Sequence, residues 1–232
     1  MKTNSLPPAL LEQLRGLNAC TVANCIETFG VRVRNTGFAD ASVRCMFEDF
    51  PALVGYAATV RIRSSEPPME GQSYHERTDW WDHILSLPEP RIIVAEDIDK
   101  RPGAGSFVGE VHANIFLALG CAGFVTNGAV RDLPGVRSAG FQLFAGCVSV
   151  SHAYAHIFDF GGPVEVGHMK VQPGDLIHGD VHGVQTVPFE VVEKIPETAQ
   201  GILQGEKDLI AFCRSRGFTV EQLRQKVAES KS

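Results

Sequence analysis

Residues 123–132, GFVTNGAVRD, decide the fold class of this chain. The first four of them predict a short apolar strand, which leads directly into the flexible pair Asn127-Gly128. A strand at residues 91–95 and an apolar helix at residues 111–119 are predicted before this stretch, and another strand is predicted at residues 141–145. A strand, a helix and a strand at this spacing form a βαβ unit, which implies parallel strands joined by a right-handed crossover.

Further helices and strands surround this unit. Apolar periodicity, caps and stops predict helices at residues 10–17, 21–30 and 80–87, and a helical tail from about residue 196. Strands are predicted at residues 54–63, 164–171, 176–180 and 184–187, and a loop at residues 64–77. Because no linker long enough to separate two domains is present, we expect one domain over residues 1–232.

The composition is that of a soluble globular protein. The chain has 232 residues, of which 44% are hydrophobic and 21% are charged, so disorder is excluded. No apolar run reaches the roughly 18 residues of a transmembrane helix, and the first eight residues do not resemble a signal peptide. A net charge of −6 without a basic cluster argues against a nucleic-acid groove. We therefore expect a cytoplasmic protein that binds neither nucleic acid nor a membrane.

Arg131-Asp132 is the strongest candidate for chemistry, because it follows a buried strand and the flexible pair Asn127-Gly128. Ligands of α/β sheets gather at the carboxyl ends of the strands. A guanidinium there can bind a carboxylate through two parallel hydrogen bonds, and a carboxylate can bind a hard cation. The alternative is an ordinary surface ion pair in a turn.

The glycine-rich loop before the helix at residues 111–119 is the second candidate. Residues 103–112, GAGSFVGEVH, contain glycines that let the backbone approach a ligand, and the amides of a helix N-terminus attract anions. The glycine spacing fits neither a dinucleotide fingerprint nor a P-loop. The alternative is a flexible turn in which Glu110 favours the helix dipole.

His178, Asp180 and His182 alternate along a predicted strand, which places them on one face. The spacing is compatible with a metal triad. The neighbouring glycines favour instead a hairpin whose polar face is solvated, and we expect the hairpin.

Three stretches of the chain resemble the RraA-like family, which includes the 4-hydroxy-4-methyl-2-oxoglutarate aldolases and the regulator of ribonuclease activity A. They are VGYAATV at residues 54–60, GAVRD at residues 128–132, and PGDLIHGD at residues 173–180 with its continuation to Pro188. The most specific element is an acid, a twenty-residue spacer and Arg-Asp, and here Glu110 precedes Arg131 by that spacer. The resemblance covers roughly residues 8–217.

The resemblance implies an α/β fold, namely a swivelling β/β/α three-layer domain, assembled as a homotrimer or a dimer of trimers. It also implies a class II pyruvate aldolase, a lyase that uses Mg²⁺ (or Mn²⁺) to cleave 4-hydroxy-4-methyl- or 4-carboxy-4-hydroxy-2-oxoacids to pyruvate, often with oxaloacetate decarboxylase activity. Both reactions pass through a pyruvate enolate, whose charge a metal and an arginine can stabilise. Other family members imply an alternative function, that of a non-catalytic protein that binds and regulates an RNA-processing ribonuclease.

The resemblance also implies roles for the residues that match the family's motif. Asp132 would bind the metal, Glu110 would act on it through a water molecule, and Glu206 would reach it from a neighbouring subunit. Arg131 and Glu110 would be the catalytic residues, and Arg131 would hold the 2-oxoacid. The substrate carboxylate would be received by backbone amides of the loop and the first helical turn, those of Gly109, Glu110, Val111 and His112.

Two positions depart from the aldolase pattern. Glu110 stands where the aldolases more often have Asp, which adds a methylene to the acid side chain. The pattern also has another acid within a few residues of Arg-Asp, whereas residues 133–137, LPGVR, contain none. The second departure weakens the expectation of aldolase activity more than that of decarboxylase activity or of the fold.

Overall fold

A computed structural model describes residues 5–73 and 76–229 of the chain. Part of the N-terminal segment, on which the expectation of no signal peptide rests, lies outside the described residues. Tyr74 and His75, in the loop predicted at residues 64–77, also lie outside them.

The predicted helices are all present, and the structure adds a helix at residues 133–139 that the sequence analysis did not predict. The helices are α1 (Pro8–Arg15), α2 (Ala19–Phe29), α3 (Asp79–Leu85), α4 (Glu110–Ala118), α5 (Leu133–Ala139), α6 (Ile195–Cys213) and α7 (Val220–Glu229), with a 3-10 turn at Val192–Lys194. Among the described residues, no helix combines the length and the apolar character that crossing a membrane requires.

The predicted strands are all present, and the structure adds short strands that were not predicted, at residues 44–45, 106–108, 129–130, 147–148 and 156–160. The strands are β1 (Arg44–Cys45), β2 (Leu53–Arg63), β3 (Arg91–Asp97), β4 (Ser106–Val108), β5 (Cys121–Thr126), β6 (Ala129–Val130), β7 (Gln142–Ala145), β8 (Cys147–Val148), β9 (His156–Phe160), β10 (Val164–Val166), β11 (Met169–Val171), β12 (Leu176–Asp180) and β13 (Gly183–Val187). The stretch predicted as a strand at residues 164–171 is a hairpin of β10 and β11. Gly167 and His168 have positive φ, which is the backbone of a tight hairpin turn.

The main sheet contains the predicted βαβ units. Its strand order is β1-β7-β5-β3-β2-β12-β13, and β9 pairs with the end of β2. β2, β3, β5 and β7 are parallel neighbours, and α3, α4 and α5 lie in the connections between them. Parallel strands require such crossover connections, and the βαβ prediction is confirmed.

The two faces of the main sheet are covered differently. On β3, Ile93 and Ala95 lie in the apolar cluster that α3, α4 and α5 cover. Ile92 and Val94 point to the other face and pack with the hairpin of β10 and β11. A strand turns successive side chains to opposite faces, so the domain has a β layer, a β layer and an α layer. The predicted β/β/α three-layer fold is confirmed.

α1, α2 and α6 cover the opposite end of the same face. Their apolar side chains pack with Val54 and Tyr56 of β2 and with Leu176 of β12. The helical layer therefore has two parts, and α4 and α5 belong to the part that lies over the parallel strands.

The expectation of a solvated polar face on the hairpin of β12 and β13 is wrong for His178 and Asp180, whereas His182 is exposed. His178 is fully buried, and its Nε2 lies 3.1 Å from the carbonyl oxygens of both Leu14 and Leu17. Asp180 is also buried and accepts a 2.8 Å hydrogen bond from the amide of Ala19. These polar groups attach the connection between α1 and α2 to the sheet, and burial lowers the pKa of His178. Among the described residues, no group of three or more His, Cys, Asp or Glu side chains is arranged to hold a metal, so the triad is not formed.

Candidate active site

A small parallel sheet brings the two candidate segments together. β4, β6 and β8 are parallel neighbours, and Val108 of β4 lies beside Val130 of β6. Both strands end there, so the starts of α4 and of α5 lie side by side. The amide of Arg131 donates a 2.9 Å hydrogen bond to the carbonyl of Val108. Predicted site residues 109–112 and 131–132 are therefore neighbours in space.

The side chain of Asp132 extends over the start of α4. The backbone of Asp132 is left-handed, with φ 53° and ψ 37°, which is uncommon for a residue other than glycine and costs free energy. Its Oδ2 accepts a 3.4 Å hydrogen bond from the amide of Glu110. A Cβ built on Gly109 would overlap this carboxylate. Glycine at position 109 thus leaves the space in which the Asp132 carboxylate lies.

The side chain of Glu110 likewise extends over the first turn of α5. Glu110 is the exposed first residue of α4, and its carboxylate lies over Gly135 in the first turn of α5. A Cβ built on Gly135 would overlap the Glu110 carboxylate and come within 2.9 Å of its Cγ. The Asp132 carboxylate therefore lies over Gly109 at the start of α4, and the Glu110 carboxylate lies over Gly135 in the first turn of α5.

Arg131 keeps part of its hydrogen-bonding capacity unused. Its Nε lies 3.3 Å from Asp132 Oδ2, and its Nη1 donates a 3.4 Å hydrogen bond to the carbonyl of Val150. The Nε atom is buried and has no hydrogen-bond partner among the described residues. Since the side chain is 28% exposed, the guanidinium can receive an anionic ligand from solvent.

The N-terminus of α4 is exposed at Glu110 and Val111, whereas Gly109 is buried beneath the Asp132 carboxylate. Gly109 occupies the cap position and has no side chain to cap the helix, and Val111 is 71% exposed. Amides of a first helical turn have no carbonyl partner within the helix and carry the positive end of its dipole. His112 is half-buried, and its ring stacks on Phe107 with centroids 5.7 Å apart. This arrangement suits a carboxylate ligand.

The donor atoms at the site fit a magnesium ion. Asp132 and Glu110 offer carboxylate oxygens, which hard divalent cations prefer. Within the described residues they belong to no larger cluster of metal-binding side chains. Mg²⁺ is commonly held by one or two carboxylates, with water and substrate oxygens as its other ligands. The glycine-lined spaces that hold both acids are therefore compatible with the predicted cation, and the chain would supply only part of its coordination.

The sequence analysis did not identify Asp97, which ends β3 next to the site segments. Asp97 is buried, and its carboxylate accepts hydrogen bonds from the amides of Gly103 (2.7 Å) and Asp99 (3.1 Å). Burial raises the pKa of this carboxyl. Gly128 lies so close that a Cβ there would be 2.9 Å from Asp97 Oδ2. Asp97 thus holds the glycine-rich loop against the start of β6. The sequence feature that could have identified Asp97 is an acid at the end of a buried strand.

The structure does not bring Glu206 to the other predicted site residues within one chain. α6 packs on α1 and α2, and Ala199 is its last buried residue. Glu206 is exposed further along the helix, on a groove of about 480 Å³ that it shares with Lys226 of α7. A role for Glu206 therefore requires another subunit.

The fold and the paired acids identify the class of protein. A family model described as RraA-like (Aldolase/RraA) matches residues 19–185, and the chain belongs to this family. The resemblance predicted from residues 54–60, 128–132 and 173–180 is confirmed.

Particular relatives give more detail. A protein from Halalkalibacterium halodurans, named as a candidate 4-hydroxy-4-methyl-2-oxoglutarate aldolase, is 29% identical over 149 residues, which are 64% of this chain and 65% of the relative. Protein DlpA from Legionella pneumophila is 23% identical over 221 residues, which are 94% of this chain and 34% of DlpA. The chain thus spans about a third of DlpA and about two thirds of the other relative.

A solved structure shares the fold. Streptomyces coelicolor RraAS2, described as an unusual member of the RNase ES inhibitor RraA protein family, superimposes with a TM-score of 0.69 at 21% identity. The superposition covers 88% of this chain and 96% of RraAS2. At this identity the likeness concerns the fold alone.

Proposed function

We propose that this protein is a divalent-metal-dependent lyase that cleaves a 4-hydroxy-2-oxoacid of the 4-hydroxy-4-methyl-2-oxoglutarate type to pyruvate. Oxaloacetate decarboxylation at the same site is part of the proposal, because it passes through the same enolate. The observation that carries the proposal is the convergence of Arg131, Asp132 and Glu110 at the N-terminus of α4. The name of the Halalkalibacterium halodurans relative supports it.

Asp132 would hold the cation, Mg²⁺ or Mn²⁺, and Glu110 would act on it through a water molecule. When bound, such a cation supplies Lewis-acid stabilisation of the negative charge on the substrate oxygens. Arg131 adds fixed positive charge beside it and binds the substrate through the exposed part of its guanidinium. The amides at the start of α4 orient the C1 carboxylate of the substrate.

Glu110 moves the proton. When the C3–C4 bond breaks, the 4-hydroxyl loses its proton and becomes a carbonyl, while the bonding electrons form the enolate of pyruvate. Glu110, acting through a water molecule, takes up this proton and returns it to C3, so that pyruvate leaves as a keto acid. Its exposed position at the start of α4 gives this carboxylate access to substrate and water.

The alternative is a non-catalytic regulator of an RNA-processing ribonuclease, and the description of RraAS2 supports it. Such a protein would need a binding surface, but it would have no need of two acids and an arginine at one helix terminus. The lyase therefore accounts for more of the observed geometry.

Pyruvate release tests the proposal directly. We expect pyruvate from at least one member of a panel of 4-hydroxy-2-oxoacids and oxaloacetate in the presence of Mg²⁺, measured by coupling to lactate dehydrogenase. An Asp132→Ala variant is the matched negative control. No release from the whole panel, together with inhibition of a ribonuclease, would favour the regulator.

We also propose a cytoplasmic, single-domain protein that assembles as a homotrimer or a dimer of trimers and binds neither nucleic acid nor a membrane. Glu206 of one subunit would then reach the Asp132 site of the next. Contacts of this head-to-tail kind close into rings, which is consistent with a trimer.

Complementation between two inactive variants tests this assembly. Asp132→Ala and Glu206→Ala oligomers should each be poorly active, and co-expression should restore about a quarter of the sites, because a random ring pairs an intact Asp132 with an intact Glu206 with a probability of about one half times one half. The measurement is pyruvate release per site in verified mixed oligomers. Co-expression of Asp132→Ala with the double variant is the control, since it can form no intact site. Mixed oligomers no more active than the better parent would contradict a shared site.

A further inference from the structure

Two glycines and two acids form a reciprocal arrangement at the starts of α4 and α5. Asp132 precedes α5 and lies over Gly109, which precedes α4. Glu110 begins α4 and lies over Gly135, the third residue of α5. Each carboxylate thus occupies the space that a side chain on the neighbouring helix would fill.

The backbone gives no reason for glycine at position 135. Gly135 is inside a helix, and it is not among the glycines with positive φ. Alanine has a much higher helix propensity than glycine, so the local structure would favour alanine there. What an alanine methyl would meet is the side chain of Glu110, from its carboxylate to its Cγ. Room for Glu110 is therefore the structural reason for this glycine.

This contact also connects the two departures from the aldolase pattern. The side chain at position 110 is longer than the more common aspartate, and residues 133–137 lack an acid. The longer side chain carries its carboxylate across the first turn of α5, the turn that contains these five residues. Glu110 thus brings a carboxylate to the segment that has none of its own.

We propose that Gly135 is a positioning residue that seats the Glu110 carboxylate beside Asp132, so that the two acids serve one divalent cation. This inference rests on the proposed function for the presence of the cation. It adds that metal binding depends on both residues together. Glutamate at position 110 supplies the longer side chain, and glycine at position 135 leaves the space that this side chain occupies.

The test is the substitution Gly135→Ala, with Mn²⁺ alone as the probe. We expect the variant to fold with an unchanged or higher Tm, because only a flexible side chain has to move and alanine favours the helix. Its affinity for Mn²⁺, measured by electron paramagnetic resonance of the free ion, should fall about 10- to 100-fold, as is typical when the support of a metal ligand is lost. Pyruvate release should fall with it.

A double variant separates positioning from a general effect of the methyl group. Alanine at position 110 lacks the Cγ and the carboxylate that a Cβ on residue 135 would meet. Adding Gly135→Ala to Glu110→Ala should therefore change Mn²⁺ affinity by less than about twofold, whereas it is damaging beside Glu110. Gly162→Ala is the matched control, because a Cβ there meets nothing within 4 Å and its φ is not positive.

The outcomes are distinguishable. If the unaltered protein binds no Mn²⁺, the proposed function and this inference both fail. If it binds Mn²⁺ and Gly135→Ala binds it equally well, only the positioning role of Gly135 is wrong. Equal losses beside Glu110 and beside Glu110→Ala would overturn the role as well, and so would failure of Gly135→Ala to fold, since a clash with one flexible side chain does not unfold a domain.

Discussion

Exhaustive treatment with EDTA is expected to abolish pyruvate release, and added Mg²⁺ or Mn²⁺ is expected to restore it. Asp132 and Glu110 offer oxygen donors, which select hard divalent cations. A cation that stabilises the developing enolate charge contributes several kcal/mol, so its removal should slow the reaction by about 10²–10⁴-fold.

The measurement is the rate of pyruvate release from the best substrate of the panel before chelation, after chelation and after addition of each cation. An unchanged circular dichroism spectrum of the chelated protein is the control for folding. Full activity after EDTA treatment would show that the reaction needs no divalent cation and would contradict the proposed function of both acids.

Arg131→Lys is expected to lower kcat/KM by about 10²–10³-fold, although the charge is preserved. Lysine is a point charge and lacks the planar fork with which arginine binds a carboxylate. In the structure Nη1 contacts the carbonyl of Val150, while the buried Nε has no hydrogen-bond partner among the described residues. A single ammonium group cannot occupy both positions.

Steady-state kinetics of the variant check this expectation, with Arg137→Lys as the matched control. Arg137 is on the neighbouring helix, where it pairs with Asp49 and stacks on Phe47, away from the acids of the site. We expect its substitution to leave kcat/KM nearly unchanged. Near-normal kinetics of Arg131→Lys would mean that Arg131 is not at the reacting centre.

The sequence predicted the features that depend on local signals. Apolar runs and breakers placed the parallel strands, and the resemblance implied that Glu110 and Arg131-Asp132 share one site, although α5 itself was not predicted. Such a pattern predicts the positions of secondary-structure elements, but it does not predict which residues of a neighbouring helix each side chain contacts. The contact of Glu110 with Gly135 and the support that Asp97 gives to Gly128 therefore became visible only in three dimensions.

For the hairpin of β12 and β13, the sequence predicted which side chains share a face but not that this face is buried. Alternation correctly placed His178 and Asp180 on one face, but the pattern does not say what covers that face. The covering segment, the connection between α1 and α2, is more than 150 residues away in the chain. Polar side chains with distant backbone partners look the same in sequence as solvated ones.

The site residues of one chain lie close together in the sequence, so other segments can change without altering their spacing. The side chains that one chain brings together come from residues 109–135, a single passage through α4, β5, β6 and the start of α5. The connection between β2 and α3 and the arm formed by α6 and α7 lie outside that passage. Insertions, deletions or exchanges in those segments can alter selectivity or subunit contacts while the acids keep their spacing. A library confined to the connection between β2 and α3 would leave the order and spacing of residues 109–135 unchanged, whereas changes in α6 would also affect Glu206, which we propose as part of the neighbouring subunit's site.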